Sequence, residues 1–253
     1  MTVVVYDGSF EGLLTAVFEI YEYKLPQPFI AREAATSGSL FGNTHTVETN
    51  AEKSNRVYQK LKAVTNSKTI RQLYDTYLSE IKEIENVLLR FIQYAVQSSF
   101  TIENDFTNAD VLLIQQTSKK VNREKHRMKA FVRFQLTKDN LYYCIIQPDY
   151  NVLPLIGKHF QERYADQRWL IYDGLRKYGL YYNGDTVAEV QMHFEADFNN
   201  AQNLATLHDE KEELYQQLWK QYFSSVNIQA RKNMKLHIRH MPKRYWRYLV
   251  EKQ

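Results

Sequence analysis

Apolar and polar positions change their period several times along the chain, and each change predicts an element. The unbroken run TVVVY (residues 2–6) reads as a short buried strand. Phe10, Leu13, Leu14, Val17, Phe18 and Tyr21 then take helical spacing, with Asp7 as the candidate N-cap. The next stretch, KLPQPFIAREAATSGSLFGNTHTVE, is rich in Pro, Gly, Ser and Thr and reads as a loop. Helix is expected again from Thr49, where Thr49 and Glu52 fit a capping box and Val57, Leu61 and Val64 share a face. From Thr69 to about Ser98 the apolar positions Ile70, Leu73, Tyr77, Ile81, Ile84, Leu88, Phe91 and Ala95 step by three or four, which predicts one long helix. Another is expected over NADVLLIQQTSKKVNREKH.

The period then shortens. RMKAFVRFQL and LYYCIIQP, separated by TKDN, predict a β-hairpin, whose alternation would send Lys129 and Arg133 to one sheet face. NVLPLIGKHFQERYAD predicts a helix, and RWLIYD, GLYYN and TVAEVQMHF predict three strands, with NGD as a turn. A helix with Leu214, Leu218 and Tyr222 on one stripe is expected over DEKEELYQQLWKQYFSSV. The expected fold is α+β and predominantly helical. A small central antiparallel sheet, a ββαβββ block from about Met128 to Phe194, is flanked by N- and C-terminal helices. The regions are 1–125, 126–195 and 196–253, packed as one compact unit.

Composition narrows the class. With 253 residues, 44% hydrophobic and 14% aromatic, the chain can bury a sizeable core and falls outside the disordered class. No apolar run approaches the ~18 residues of a membrane span, and the start lacks a basic signal-peptide region, so cytoplasmic residence and no membrane association are expected. Cys144, the single cysteine, can form no internal disulfide and cannot alone supply a zinc or iron-sulfur site, so no cofactor is expected.

The net charge of +4 is modest, but its distribution is uneven. Residues 119–133 hold seven Lys or Arg against the lone acid Glu124, and residues 231–247 hold seven with no acid. Such clusters suit an anionic partner, because Lys and Arg neutralise phosphates and release counterions while aromatic rings stack on exposed bases. The candidate nucleic-acid contacts are Arg123, Lys125, Arg127, Lys129 and Arg133 in the first window. In the second they are Arg231, Lys232, Lys235, Arg239, Lys243, Arg244, Tyr245 and Trp246. A solvated helix face is the plain alternative for either cluster taken singly; two clusters favour nucleic acid.

Catalytic signals are weak. YDGSFEG follows a strand and opens a helix but lacks the spacing of a phosphate-binding loop. None of the seven histidines lies in a metal-binding motif. His126, His159 and Asp173 are the acid-base candidates, with Asp149 at another strand end, and no nucleophile-base-orienter arrangement is recognisable from spacing.

Four blocks in order, YDGSFEGLLTAVFEIY, HRMKAFVRF, IQPDYNVLPLIGKHFQERYADQRWLIYD and YFSSVNIQARKNMKLHIRHMPKRYW, resemble a bacterial DNA metabolism (DNA repair) protein family. That family carries a domain of unknown function, and its genes typically adjoin one for a radical SAM protein of DNA modification or repair. The resemblance implies a DNA-related role and a radical SAM partner, which would itself hold any iron-sulfur cluster. It points to His126, Met128, Arg133, Asp149, His159, Arg163, Trp169, Asp173, Met241, Pro242, Tyr245 and Trp246. Trp169, among apolar neighbours, is expected to be scaffold. The uracil-DNA glycosylase extension of longer relatives is expected to be absent, and no established catalytic residue carries over. The leading expectation is a DNA-binding protein acting with the radical SAM enzyme, with Tyr245 or Trp246 contacting a displaced base. The alternatives are a DNA-processing enzyme in its own right and a protein-protein adaptor for that partner.

Overall fold

Three consecutive valines between Thr2 and Tyr6 form β1, every residue of which is buried in the computed structural model, which describes residues 1–32, 43–191, 216–217 and 234–252. The chain divides into two compact units, Met1–Asn122 and Arg123–Gln253, and α5 (Ala109–Phe131) crosses the division.

In the first unit β1 pairs in parallel with β2 (Pro28–Arg32) on one side and β3 (Asn43–Thr46) on the other. Both partners lie in the stretch expected to be loop. β2 (PFIAR) opens on proline and is too short to show alternation, and β3 (NTHT) is polar; pairing with a buried central strand makes them strands. α1 (Phe10–Glu22) is capped by Ser9, whose hydroxyl accepts from Gly12 N at 2.8 Å. Asp7, the expected cap, instead braces that residue, accepting from the Ser9 backbone N–H and hydroxyl, each at 2.8 Å. A side chain at position 12 would collide with Asp7, Thr49 and Ser9, so glycine is required there. α2 (Ala51–Val64) is capped by Asn50 rather than by the Thr49–Glu52 box, and Thr49 donates to Asp7 at 2.8 Å.

The long helix expected from Thr69 to Ser98 is two, α3 (Ser67–Tyr77) and α4 (Ile84–Gln97). The chain turns between them through left-handed Glu80 and Glu83, φ 52° and 63°. Ile81, which continued the apolar stepping, is exposed in this turn, whereas Ile84 and Leu88 are buried. α4 also closes the outer edge of β2. The buried Asn86 amide accepts from Ile30 N at 2.8 Å and donates to Ile30 O at 3.1 Å, supplying the pairing a further strand would give.

The second unit holds a five-stranded sheet in the order β4-β5-β6-β7-β8. β4 (Gln135–Leu136) and β5 (Tyr142–Ile146) make the expected hairpin, then α6 (Leu153–Arg163) leads to β6 (Trp169–Asp173), β7 (Tyr178–Tyr182) and β8 (Val187–Gln191). The fold is thus α+β with the ββαβββ order. The sheet is mixed rather than wholly antiparallel, because the α6 crossover brings β6 alongside β5 in parallel. A second difference lies at its start. Residues 127–131, expected in the hairpin, continue α5, since Met128 and Val132 extend the buried helical stripe of Ile114 and Val121. Trp169 is wholly buried, as expected of scaffold, with ring centroids of Phe134 and Phe160 each 6.3 Å away and of Tyr182 5.4 Å away. α6 packs on the sheet through Gly157, where a Cβ would press on Leu180. After the sheet, the described C-terminal residues form α7 (Met234–His240) and two 3-10 turns, Lys243–Tyr248 and Val250–Lys252. The helix expected over residues 209–226 lies outside the described residues except for Gln216 and Gln217.

Asn86→Leu removes the side chain that bonds the Ile30 edge. With both backbone groups left buried and unpaired, urea denaturation is expected to show a loss of about 2–4 kcal/mol.

Candidate nucleic-acid interface

Helical spacing on α5 sorts the first basic window. Val121, Glu124 and Met128 step by three and four along the buried face. Arg123 and Arg127 flank that stripe on one side, Lys125 and Lys129 on the other. The single acid of the window therefore sits where an apolar residue is expected.

Glu124 is 1% exposed, and its carboxylate is surrounded by donors. Oε1 accepts from Asp149 N at 3.0 Å, from Arg244 Nη2 at 3.0 Å and from the Tyr245 hydroxyl at 2.5 Å; Oε2 accepts from Tyr150 N at 2.8 Å. Arg244 also reaches the Asp149 carboxylate at 2.8 Å and lies over the Tyr245 ring, 4.6 Å from its centroid. Burial and the neighbouring Glu124 push the Tyr245 hydroxyl pKa far up, so it remains a donor. Burial alone would lower the Arg244 pKa, but Tyr245, Glu124 and Asp149 outweigh it and raise it.

Around this hub the two basic windows meet. Arg127 Nη2 donates to Arg239 O at 3.2 Å, Phe131 packs on Tyr245 with centroids 5.6 Å apart, and Arg133 pairs with the buried carboxylate of Glu251 at 2.9 Å. Arg133 also donates to Ala130 O at 2.7 Å, closing the end of α5. Arg247 donates to the Gln147 side chain.

These contacts divide the predicted residues. Arg133 and Arg244 are each paired with a buried acid, although Arg244 itself stays exposed, and Tyr245, 2% exposed, belongs to the core, so its ring is not presented to a base. Trp246 is half-buried, its indole N–H donating to Met241 O at 3.0 Å, with the Lys243 and Lys252 ammonium groups 5.9 and 5.2 Å from its ring. Arg123, Arg239 and Lys243 are exposed and Lys125 and Lys129 half-exposed; no acid pairs with any of the five among the described residues. Arg231 and Lys232 lie outside the described residues; Lys235 lies in α7, its side chain undescribed.

The acid-base candidates separate. Asp173 is fully buried: Oδ1 accepts from Leu175 N at 2.8 Å and Arg176 N at 3.1 Å, and Oδ2 pairs with Arg176 at 2.9 Å. Burial raises its pKa despite Arg176, and the carboxylate holds the β6–β7 turn rather than facing a substrate. Arg176 continues to Pro148 O and Asp149 O at 3.1 and 3.0 Å, fastening the loop that also caps Glu124. His126 is exposed on α5. His159, half-buried on α6, has its pKa lowered from 6.5 by burial and by the Lys129 and Arg163 cations. Burial lifts the Cys144 thiol to about 12, leaving it inert. Among the described residues no group of three His, Cys, Asp or Glu could hold a metal ion, and no helix is long and apolar enough to cross a membrane.

Sequence reasoning missed Glu124 and Arg176. Glu124 had a signal, since it falls in helical step between Val121 and Met128; Arg176 had none.

An α+β unit whose α5 and C-terminal segment carry exposed and half-exposed cations without acidic partners among the described residues is the class that fold and site define. Residues 82–251 match the model of DUF4130, a domain of unknown function, and the chain belongs to that family. No curated protein and no solved structure matches it.

Glu124→Ala would strand Asp149 N, Tyr150 N and the Tyr245 hydroxyl together. Chemical denaturation is expected to show a loss of about 3–5 kcal/mol, against a change within about 0.5 kcal/mol for Lys243→Ala at an exposed site.

Proposed function

We propose that the second unit of this chain binds DNA by contacting the phosphates of the DNA backbone, and that the protein serves DNA repair or metabolism beside a radical SAM enzyme. The observation that supports binding is the convergence of the two basic windows on one unit, where internal acids engage Arg133 and Arg244 but not Arg123, Lys125, Lys129, Arg239 or Lys243. Exposed and half-exposed cations without acidic partners suit phosphate neutralisation. The cellular role rests on the resemblance of the four sequence blocks alone. Of the rings offered for a displaced base, Trp246 is the one with exposed surface. Chemistry on the DNA by Asp173 is disfavoured by its complete burial.

The test must spare the residues that hold the fold, so Arg244 is left intact. Arg123→Ala/Lys129→Ala/Lys243→Ala is expected to keep the wild-type unfolding midpoint. Its slope of log affinity against log salt should be shallower by about 0.9 for each duplex phosphate that is no longer neutralised, or roughly 2–3 in all. Wild-type protein that fails to bind single- or double-stranded DNA at low salt, or a triple variant with an unchanged slope, overturns the reading; co-purification with a protein partner and no DNA affinity would favour the adaptor.

A pH measurement bears on one of these cations, Lys129. Because the folded-state pKa of His159 is lowered, the folded chain binds that proton less readily than the unfolded one. Stability is therefore expected to fall as pH drops through 6.5, with His159→Gln reducing the fall. Phosphate bound beside Lys129 and Arg163 would relieve the repulsion, so NMR titration should show the His159 pKa rising when DNA is added.

A further inference from the structure

The first unit carries a concave site of its own. A groove of about 480 Å³ lies between α1, α2 and α4, within the roughly 300–1,000 Å³ range of small-molecule sites. Val17 and Ile92, both buried, are its deepest apolar groups, and Phe18, Tyr21, Val57 and Val96 complete the apolar walls. The cations among the lining are Arg56 and Lys60, four residues apart on α2 and therefore on one side. Both are exposed, and neither has an acidic partner among the described residues. The Arg56 guanidinium lies over Phe18, 4.7 Å from the ring centroid, at the groove's edge. Glu22, the one acid of the lining, is bridged by Lys53 at 3.0 Å.

From this arrangement we infer that the groove binds a small amphipathic anion: an apolar chain or ring system seated on Val17 and Ile92, with a single anionic head held by Arg56 and Lys60. The apolar walls decide the body of the ligand. Their one polar side-chain group is the hydroxyl of the exposed Tyr21, and helical backbone groups are already paired, so a nucleobase seated on Val17 and Ile92 would leave most of its polar edge unsatisfied. The unpaired cations decide the head. Size decides against a protein: a stable interface buries about 800 Å² per partner, whereas of the exposed large apolar side chains among the described residues Tyr21 alone lines the groove.

The probes are anilinonaphthalene sulfonate, decanoate and decanol, used with the full chain at low salt. Fluorescence of the sulfonate is expected to rise saturably with one site per chain, and decanoate should displace it about tenfold more effectively than decanol. Arg56→Ala/Lys60→Ala, at two exposed positions, should weaken sulfonate binding by about tenfold without moving the unfolding midpoint. Val57→Trp should abolish binding by filling the groove, and Val96→Phe serves where that variant does not fold. No saturable binding, equal displacement by decanol and decanoate, or undiminished binding in the charge and filling variants would each overturn the inference.

Discussion

The buried carboxylate of Glu124 is the constraint on which the second unit depends. An ionised group in an apolar interior is tolerated only when its lone pairs are fully engaged. Here the engagement comes from far apart in the chain: two backbone N–H groups at Asp149 and Tyr150, and the Arg244 and Tyr245 side chains. Satisfying one acid therefore fixes three elements together: α5, the loop after β5 and the C-terminal 3-10 turn. The loop is secured a second time by Arg176, which joins it to the buried Asp173 at the β6–β7 turn. Each carboxylate organises backbone as well as charge, which makes the arrangement specific as well as stable.

That constraint also allocates the cations. Glu124 engages Arg244, whose side chain stays 42% exposed, Glu251 engages Arg133, and Arg127 is turned onto the Arg239 carbonyl. Neighbouring basic residues are left facing outward, where mutual repulsion costs stability unless an anion relieves it. The proton affinity of His159 is depressed first by burial and then by the Lys129 and Arg163 cations, and the second contribution is a local sign of that repulsion. A basic cluster in sequence thus holds two populations with different work, one maintaining the fold and one open to a ligand.

Much of the architecture was legible because it rests on local periodicity. β1, α1, α6 and the order of the sheet strands follow from runs whose apolar spacing matches one element. What was missed depends on contacts between distant residues. β2 and β3 lack apolar alternation and exist because β1 pairs with them. The α3–α4 turn uses positive φ at two glutamates, where glycine would have announced it. The stretch RMKAFVRF fits alternation and helix alike, and the helix prevails as far as Phe131, because Met128 continues the buried stripe of Val121 and Val132, buried just past the helix end, closes it. The basic windows were visible as composition. Their division was not, since Arg244 meets Glu124 from 120 positions away.

The most direct measurement is an arginine side-chain NMR spectrum of the full chain, recorded with and without a short DNA duplex. Glu124 and Glu251 should hold the Arg244 and Arg133 guanidinium signals unchanged and slow to exchange, while those of Arg123 and Arg239 shift on DNA addition. Shifts at Arg244 and Arg133 with none at Arg123 and Arg239 would contradict this division of the charges.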